Sequence, residues 1–95
     1  MLLKSAQAGT LESSDINITL RPADPGTGIS IDLRSILMDQ YGEQIQAAIS
    51  ETLTAHHITD ALVTAIDRGA LDCTIRARTL TALSRAGIDI KEAVK

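Results

Sequence analysis

Apolar and polar positions along this chain change rhythm at identifiable points, and each rhythm predicts an element. Residues 1–14 keep neither a two-residue nor a 3.6-residue period; Ala6, Ala8, Gly9, Ser13 and Ser14 suit a flexible N-terminal segment. From Asp15 onward Ile16, Ile18 and Leu20 alternate with Asn17, Thr19 and Arg21, the pattern of a half-buried strand that Pro22 ends. Ala23 to Gly28 is rich in turn formers, and Ile29, Ile31 and Leu33 then alternate again. The two strands are expected to pair antiparallel as a hairpin. Ser35 is read as a helix N-cap. Leu37, Tyr41, Ile45, Ala48, Ile49, Thr52, Leu53 and His56 recur three or four residues apart, placing one apolar face on a helix over roughly 35–56. Thr59 to Ile66 is apolar on both alternating sides, as a central strand is. Asp67, Arg68 and Gly69 turn the chain, and residues 70–86 read as a second helix stopped by Gly87. On that helix Leu71, Ile75, Ala82 and Ala86 share one side, and Cys73, Ala77, Leu80 and Leu83 widen the arc.

The order strand, strand, helix, strand, helix predicts an α+β domain: a small mixed sheet of about three strands with two helices on one face. The helix before the third strand is long enough for a right-handed parallel crossover. The chain is expected to divide into a flexible segment at 1–14, one domain at 15–88 and a tail at 89–95.

Composition narrows the functional classes. The 95 residues are 44% hydrophobic but contain no Phe or Trp, and Tyr41 is the sole aromatic. Such a core must be built from Ile, Leu, Val and Ala, and large side chains to wall a catalytic cleft are lacking. Net charge is −3, with Lys and Arg scattered, so neither a basic stripe nor stacking aromatics offer a nucleic-acid surface. One cysteine, Cys73, makes neither an internal disulfide nor a zinc site and points to a reducing cytoplasm; its expected place is a small buried apolar group. No apolar run reaches membrane-spanning length, and the first residues have no signal-peptide core. A cytoplasmic protein without nucleic-acid or membrane partners is expected.

Catalytic constellations are missing: there is no phosphate loop, nucleophile elbow or paired-histidine helix motif. His56 and His57 are adjacent, point roughly 100° apart on a helix, and are read as helix-end residues. Asp72 and Arg76 are spaced as an i,i+4 pair, yet projection sets them inside the apolar arc, either partly buried or at a partner surface. By composition alone Ser13, Ser14 and Asp15 form a loop or a cap.

Two stretches carry a resemblance. Ala8-Gly9-Thr10-Leu11-Glu12-Ser13-Ser14-Asp15 resembles the N-terminal signature of the citrate lyase acyl carrier (gamma) subunits. Asp67-Arg68-Gly69-Ala70-Leu71-Asp72-Cys73, followed by Arg76-Ala77-Arg78, resembles that family's passage from the last strand into the last helix. The resemblance implies a non-catalytic carrier with a phosphoribosyl-dephospho-CoA group on the serine after Leu-Glu, which is Ser13 here, with Ser14 as the alternative. It further implies 2'-(5''-triphosphoribosyl)-3'-dephospho-CoA as precursor and a dedicated prosthetic-group transferase, without which the chain stays bare. The implied partners are an alpha subunit that exchanges acetyl for citrate on the arm's thiol and a beta subunit that cleaves the citryl thioester to oxaloacetate with a divalent cation. The chain itself would hold no metal and no catalytic residue. A fatty-acid-type carrier is disfavoured, since no Asp-Ser-Leu occurs. A small interaction or ligand-sensing module without a covalent cofactor fits the same strands and helices, but has no use for Leu-Glu-Ser.

Overall fold

Period-two alternation puts every second side chain on one side of a pleated strand. In the computed structural model, which describes residue 2 and residues 4–88, it does so in the strands that the pattern predicts. The chain runs β1 (Ala6–Ala8), β2 (Ile16–Pro22), β3 (Ile29–Ser35), α1 (Met38–Ala55), β4 (Ala61–Asp67) and α2 (Asp72–Arg85). Ile16, Ile18 and Leu20 of β2 and Ala61, Val63 and Ala65 of β4 point inward and are buried. They meet Ile45, Ala48, Ile49 and Leu53 of α1 and Ile75, Ala82 and Leu83 of α2 in one core. The other face of the sheet carries Arg21, Ser30, Asp32, Arg34 and Leu62, all exposed. The α+β class therefore holds, with two helices on one face and one strand more than the pattern predicts. The tail expected at 89–95 lies outside the described residues.

The hairpin does not form. Strand order is β1-β2-β4-β3: β4 inserts between β2, to which it is antiparallel, and β3, to which it is parallel. Alternation fixes which face a strand buries but not which strand lies beside it. The 23–28 loop straddles the start of β4 and is fastened there. The Asp60 carboxylate accepts N–H bonds from Gly26 (3.0 Å) and Gly28 (2.8 Å), and Ala61 N–H donates to the Gly28 carbonyl at 3.2 Å. The Gly28 N–H, then the Thr59 hydroxyl, lower the Asp60 pKa. The central position expected for the 59–66 segment is found, and β3 and β4 are parallel with α1 between them, as a crossover requires.

Other expectations shift at element ends. Ser35 closes β3 and is not the N-cap; Leu37 is, although Ser35 Oγ still accepts the Leu37 N–H at 3.0 Å. The same hydroxyl donates to the buried Asp67 carboxylate at 2.8 Å, which ties the ends of β3 and β4 together. Tyr41 is exposed because the inward stripe of α1 runs through Gly42, Ile45, Ala48, Ile49, Thr52 and Leu53, one position away. Cys73 and Leu71 are exposed, not buried: they stand at the start of α2, beyond the reach of the core. His56 and His57 do sit at the end of α1. That helix closes with the same bond pattern as α2: Ile58 N–H to Leu53 carbonyl in one, Ile88 N–H to Leu83 carbonyl in the other. Gly87 takes the left-handed position after α2 (φ 96°), and His57 takes it after α1 (φ 62°).

Candidate functional site

Residues 9–15 join β1 to β2, and their conformation is set by what each can bond. Gly9 opens the loop at φ 95°, where an added Cβ would lie 1.8 Å from the Ile16 carbonyl oxygen; only glycine admits that approach. Its own carbonyl accepts the side-chain amides of Gln7 (3.1 Å) and Asn17 (3.3 Å). The loop then folds around Asp15. One carboxylate oxygen accepts the Thr10 N–H (3.2 Å) and hydroxyl (2.6 Å), and the other accepts the Ile16 N–H (2.7 Å). Arg78 reaches in from α2 with both arms of its guanidinium, Nε to Oδ1 at 3.0 Å and Nη2 to Oδ2 at 2.8 Å. A planar fork on a nearly buried carboxylate is the strong form of ion pair.

Backbone bonds fix the loop to the β4–α2 turn as well. Ser14 N–H donates to the Arg68 carbonyl and Arg68 N–H to the Asp15 carbonyl, both at 2.8 Å. The two stretches that carry the resemblance, 52 or more residues apart in sequence, thus meet in one site. Asp15 N–H donates to the Glu12 carbonyl at 3.2 Å and closes a tight turn with Ser13 and Ser14 at its centre. Ser14 takes the left-handed position at φ 64°. Both serines are exposed, and neither hydroxyl bonds to another described residue. They differ in backbone: Ser14 is tied to Arg68, whereas Ser13 stands at the corner of the turn. His56 and His57 lie at the far end of α1, so no imidazole neighbours these hydroxyls.

The Arg78 fork, followed by the Thr10 hydroxyl, holds the Asp15 carboxyl well below the usual carboxylate range. A depressed folded pKa gives stability that is complete above the unfolded value of about 4 and is lost as pH falls below it. The urea midpoint is therefore expected to hold steady from pH 7 to 5 and to drop below pH 4. Asp15→Asn should cost about 2 kcal/mol at pH 7 and show a smaller drop in acid. An equal drop in both proteins would remove Asp15 as the cause.

The Asp72–Arg76 pair is neither buried nor isolated. Arg76 donates to Asp72 (2.7 Å) and to Glu51 of α1 (3.0 Å), so it clips the two helices together at the surface. Such exposed bridges contribute little to stability. The clamp on Asp15 has no local signal: Thr10, Asp15, Arg68 and Arg78 stand inside the two signature stretches, but nothing in a single chain pairs Asp15 with a residue 63 positions away.

The loop thus combines a hydrogen-bonded base with exposed serines whose hydroxyls meet no described partner. The family model described as "ACP: Malonate decarboxylase delta subunit (MdcD)" matches residues 3–86, which places the chain among acyl carrier subunits. The fold is shared with a chain in the crystal structure of a Pseudomonas malonate decarboxylase hetero-tetramer in complex with malonate (TM-score 0.72, 20% identity, 90% of this chain and 86% of that one). Sequence relatives are more specific. The citrate lyase acyl carrier protein of Oenococcus oeni is 54% identical over 87% of this chain and 84% of its own length. That of Streptococcus uberis is 51% identical over 93% and 86%. The chain belongs to the citrate lyase acyl carrier (gamma) protein family, and its role is that of a carrier and not of a catalyst. No helix among the described residues is long and apolar enough to cross a membrane.

Proposed function

We propose that this chain is the acyl carrier subunit of citrate lyase and that Ser13 is the attachment point of its phosphoribosyl-dephospho-CoA arm. The observation that carries the reading is the clamped loop: Asp15 and Arg78 fix its base, while Ser13 at its corner is exposed, with its hydroxyl bonded to no described residue. When bound, the arm supplies a terminal thiol that carries acetyl and citryl groups as thioesters. Ser13 Oγ loses its proton and becomes an ester oxygen of the phosphodiester, with pyrophosphate leaving the triphosphoribosyl precursor. This happens once, on a dedicated transferase, so the serine needs access and no activating base of its own. Thereafter the loop holds the root of the arm at a fixed place, so that its reach covers more than one active site at high effective concentration. The alpha and beta subunits would supply the acyl exchange and the carbon–carbon cleavage that yield acetate and oxaloacetate. The single, exposed thiol of Cys73 suits a reducing cytoplasm.

The test is reconstitution. The chain, made with or without the transferase and precursor, is added to citrate lyase alpha and beta subunits, and oxaloacetate formation is followed. Cleavage is expected only with the chain made alongside the transferase. If neither preparation supports cleavage while an established citrate lyase carrier treated identically does, the reading fails, and an interaction module without a cofactor takes its place.

A further inference from the structure

Ile16 lies opposite Asp67, and Asp67 opposite Ser35, across β2, β4 and β3. The serine loop, the β3–α1 turn and the β4–α2 turn therefore gather at one end of the sheet. That end is unusually apolar. Six large hydrophobic side chains are exposed among the described residues, and five of them, Leu11, Ile36, Met38, Tyr41 and Leu71, stand there; Leu62, at the other end of β4, is the sixth. Leu71 is 70% and Ile36 68% exposed. Single exposed apolar residues need no explanation, but a cluster at one end does. The one aromatic residue of a chain short of large side chains, Tyr41, is spent on this surface and not on the core. Between the starts of α1 and α2 two members of the cluster, Tyr41 and Leu71, line a cleft of about 360 Å³ together with Leu37, Ile45, Ala70 and Ile75. Of the polar residues in the lining, the buried Asp67 carboxylate is already bonded to Ser35 and to the Ala70 N–H at 2.9 Å and Asp72 to Arg76, which leaves Gln44 in a lining that is otherwise mainly apolar. Exposed charges at or near it, Glu12, Asp39, Arg68 and Asp72, are of both signs.

We propose that this end of the domain is the docking surface for a catalytic subunit of the lyase, which seats one large apolar side chain in the cleft between α1 and α2. The inference rests on the carrier reading and names the face and chemistry of contact, which that reading leaves open. Continuity carries it: the Ser14–Arg68 backbone bond joins the serine loop to the turn whose Asp67 and Gly69 line the cleft, so a protein that receives an arm rooted at Ser13 comes against these residues. An apolar anchor in a pocket, surrounded by a polar rim of mixed charge, is the anatomy of a protein–protein hot spot.

Binding of the chain to the purified citrate lyase alpha and beta subunits tests this, with Leu71→Glu, Tyr41→Ala and Leu62→Glu compared with wild type. All three side chains are exposed, and circular dichroism checks that each variant melts as wild type does. Leu71→Glu is expected to weaken binding about 30-fold or more and Tyr41→Ala about tenfold. Leu62→Glu, which adds the same charge elsewhere, should stay within about twofold. Wild-type affinity in Leu71→Glu and Tyr41→Ala, or an equal loss in Leu62→Glu, would overturn the proposal. So would a wild-type chain that binds neither subunit; the mass of the chain made with the transferase then decides separately whether the carrier reading survives.

Discussion

Replacing Ser13 with alanine is expected to reduce reconstituted citrate cleavage to background and to leave the fold untouched. The side chain is exposed and bonds to no described residue, so its loss should change stability by no more than about 0.5 kcal/mol. If the hydroxyl is the attachment oxygen, no neighbour can stand in for it, and the chain emerges without an arm. The matched control is Ser14→Gly. It removes the other hydroxyl while suiting the φ of 64° at that position, where glycine is at no steric disadvantage. Ser14→Gly should still be modified and should still support cleavage. The reverse pattern, with Ser13→Ala active and Ser14→Gly inert, would move the site by one residue and keep the function.

The second large effect falls on Gly9. An alanine there would place its Cβ 1.8 Å from the Ile16 carbonyl oxygen and 2.9 Å from the carbonyl carbon, at a φ of 95°. Ile16 cannot retreat, because it is fully buried and paired to Asp67 of the neighbouring strand β4. Either β1 separates from the sheet or the loop above Asp15 is rebuilt. A loss of about 3 kcal/mol or more is expected, a large share of the stability of a domain this small. Gly26→Ala is the comparison: it has a similar φ of 88° but open space around the added Cβ, so it should cost only about 1 kcal/mol. Urea midpoints measure both. Equal losses would mean that backbone conformation alone, and not the crowding at Ile16, makes glycine necessary at position 9.

How far the sequence could be read depends on which contacts are local. Ile16, Ile18 and Leu20 announce β2 because their period is a property of adjacent residues. The stop at Gly87 is equally local. Neighbour choice in the sheet is not: β2 and β3 look like a hairpin from 16–33 alone, and only the insertion of β4 some thirty residues later separates them. β1 escaped notice because Ala6–Ala8 is too short to show a period, and its edge position asks for little apolar surface. At the ends of helices the arc drawn by projection overshoots. Tyr41, Leu71 and Cys73 fall near the apolar side of a wheel, yet the core does not extend over the first turns of α1 and α2. The same overshoot leaves the apolar rim of the cleft free for a partner. For the site, the serines were legible through resemblance, whereas the Asp15–Arg78 clamp needed the fold, which alone brings α2 beside the 9–15 loop.

On this reading a serine of the 9–15 loop carries a covalent arm. Intact mass followed by peptide mapping, on the chain produced with the prosthetic-group transferase and its precursor, addresses it most directly. One mass increase per chain is expected, equal to a phosphoribosyl-dephospho-CoA group and mapped to Ser13. An unchanged mass, with an established citrate lyase carrier fully modified in parallel, would contradict it.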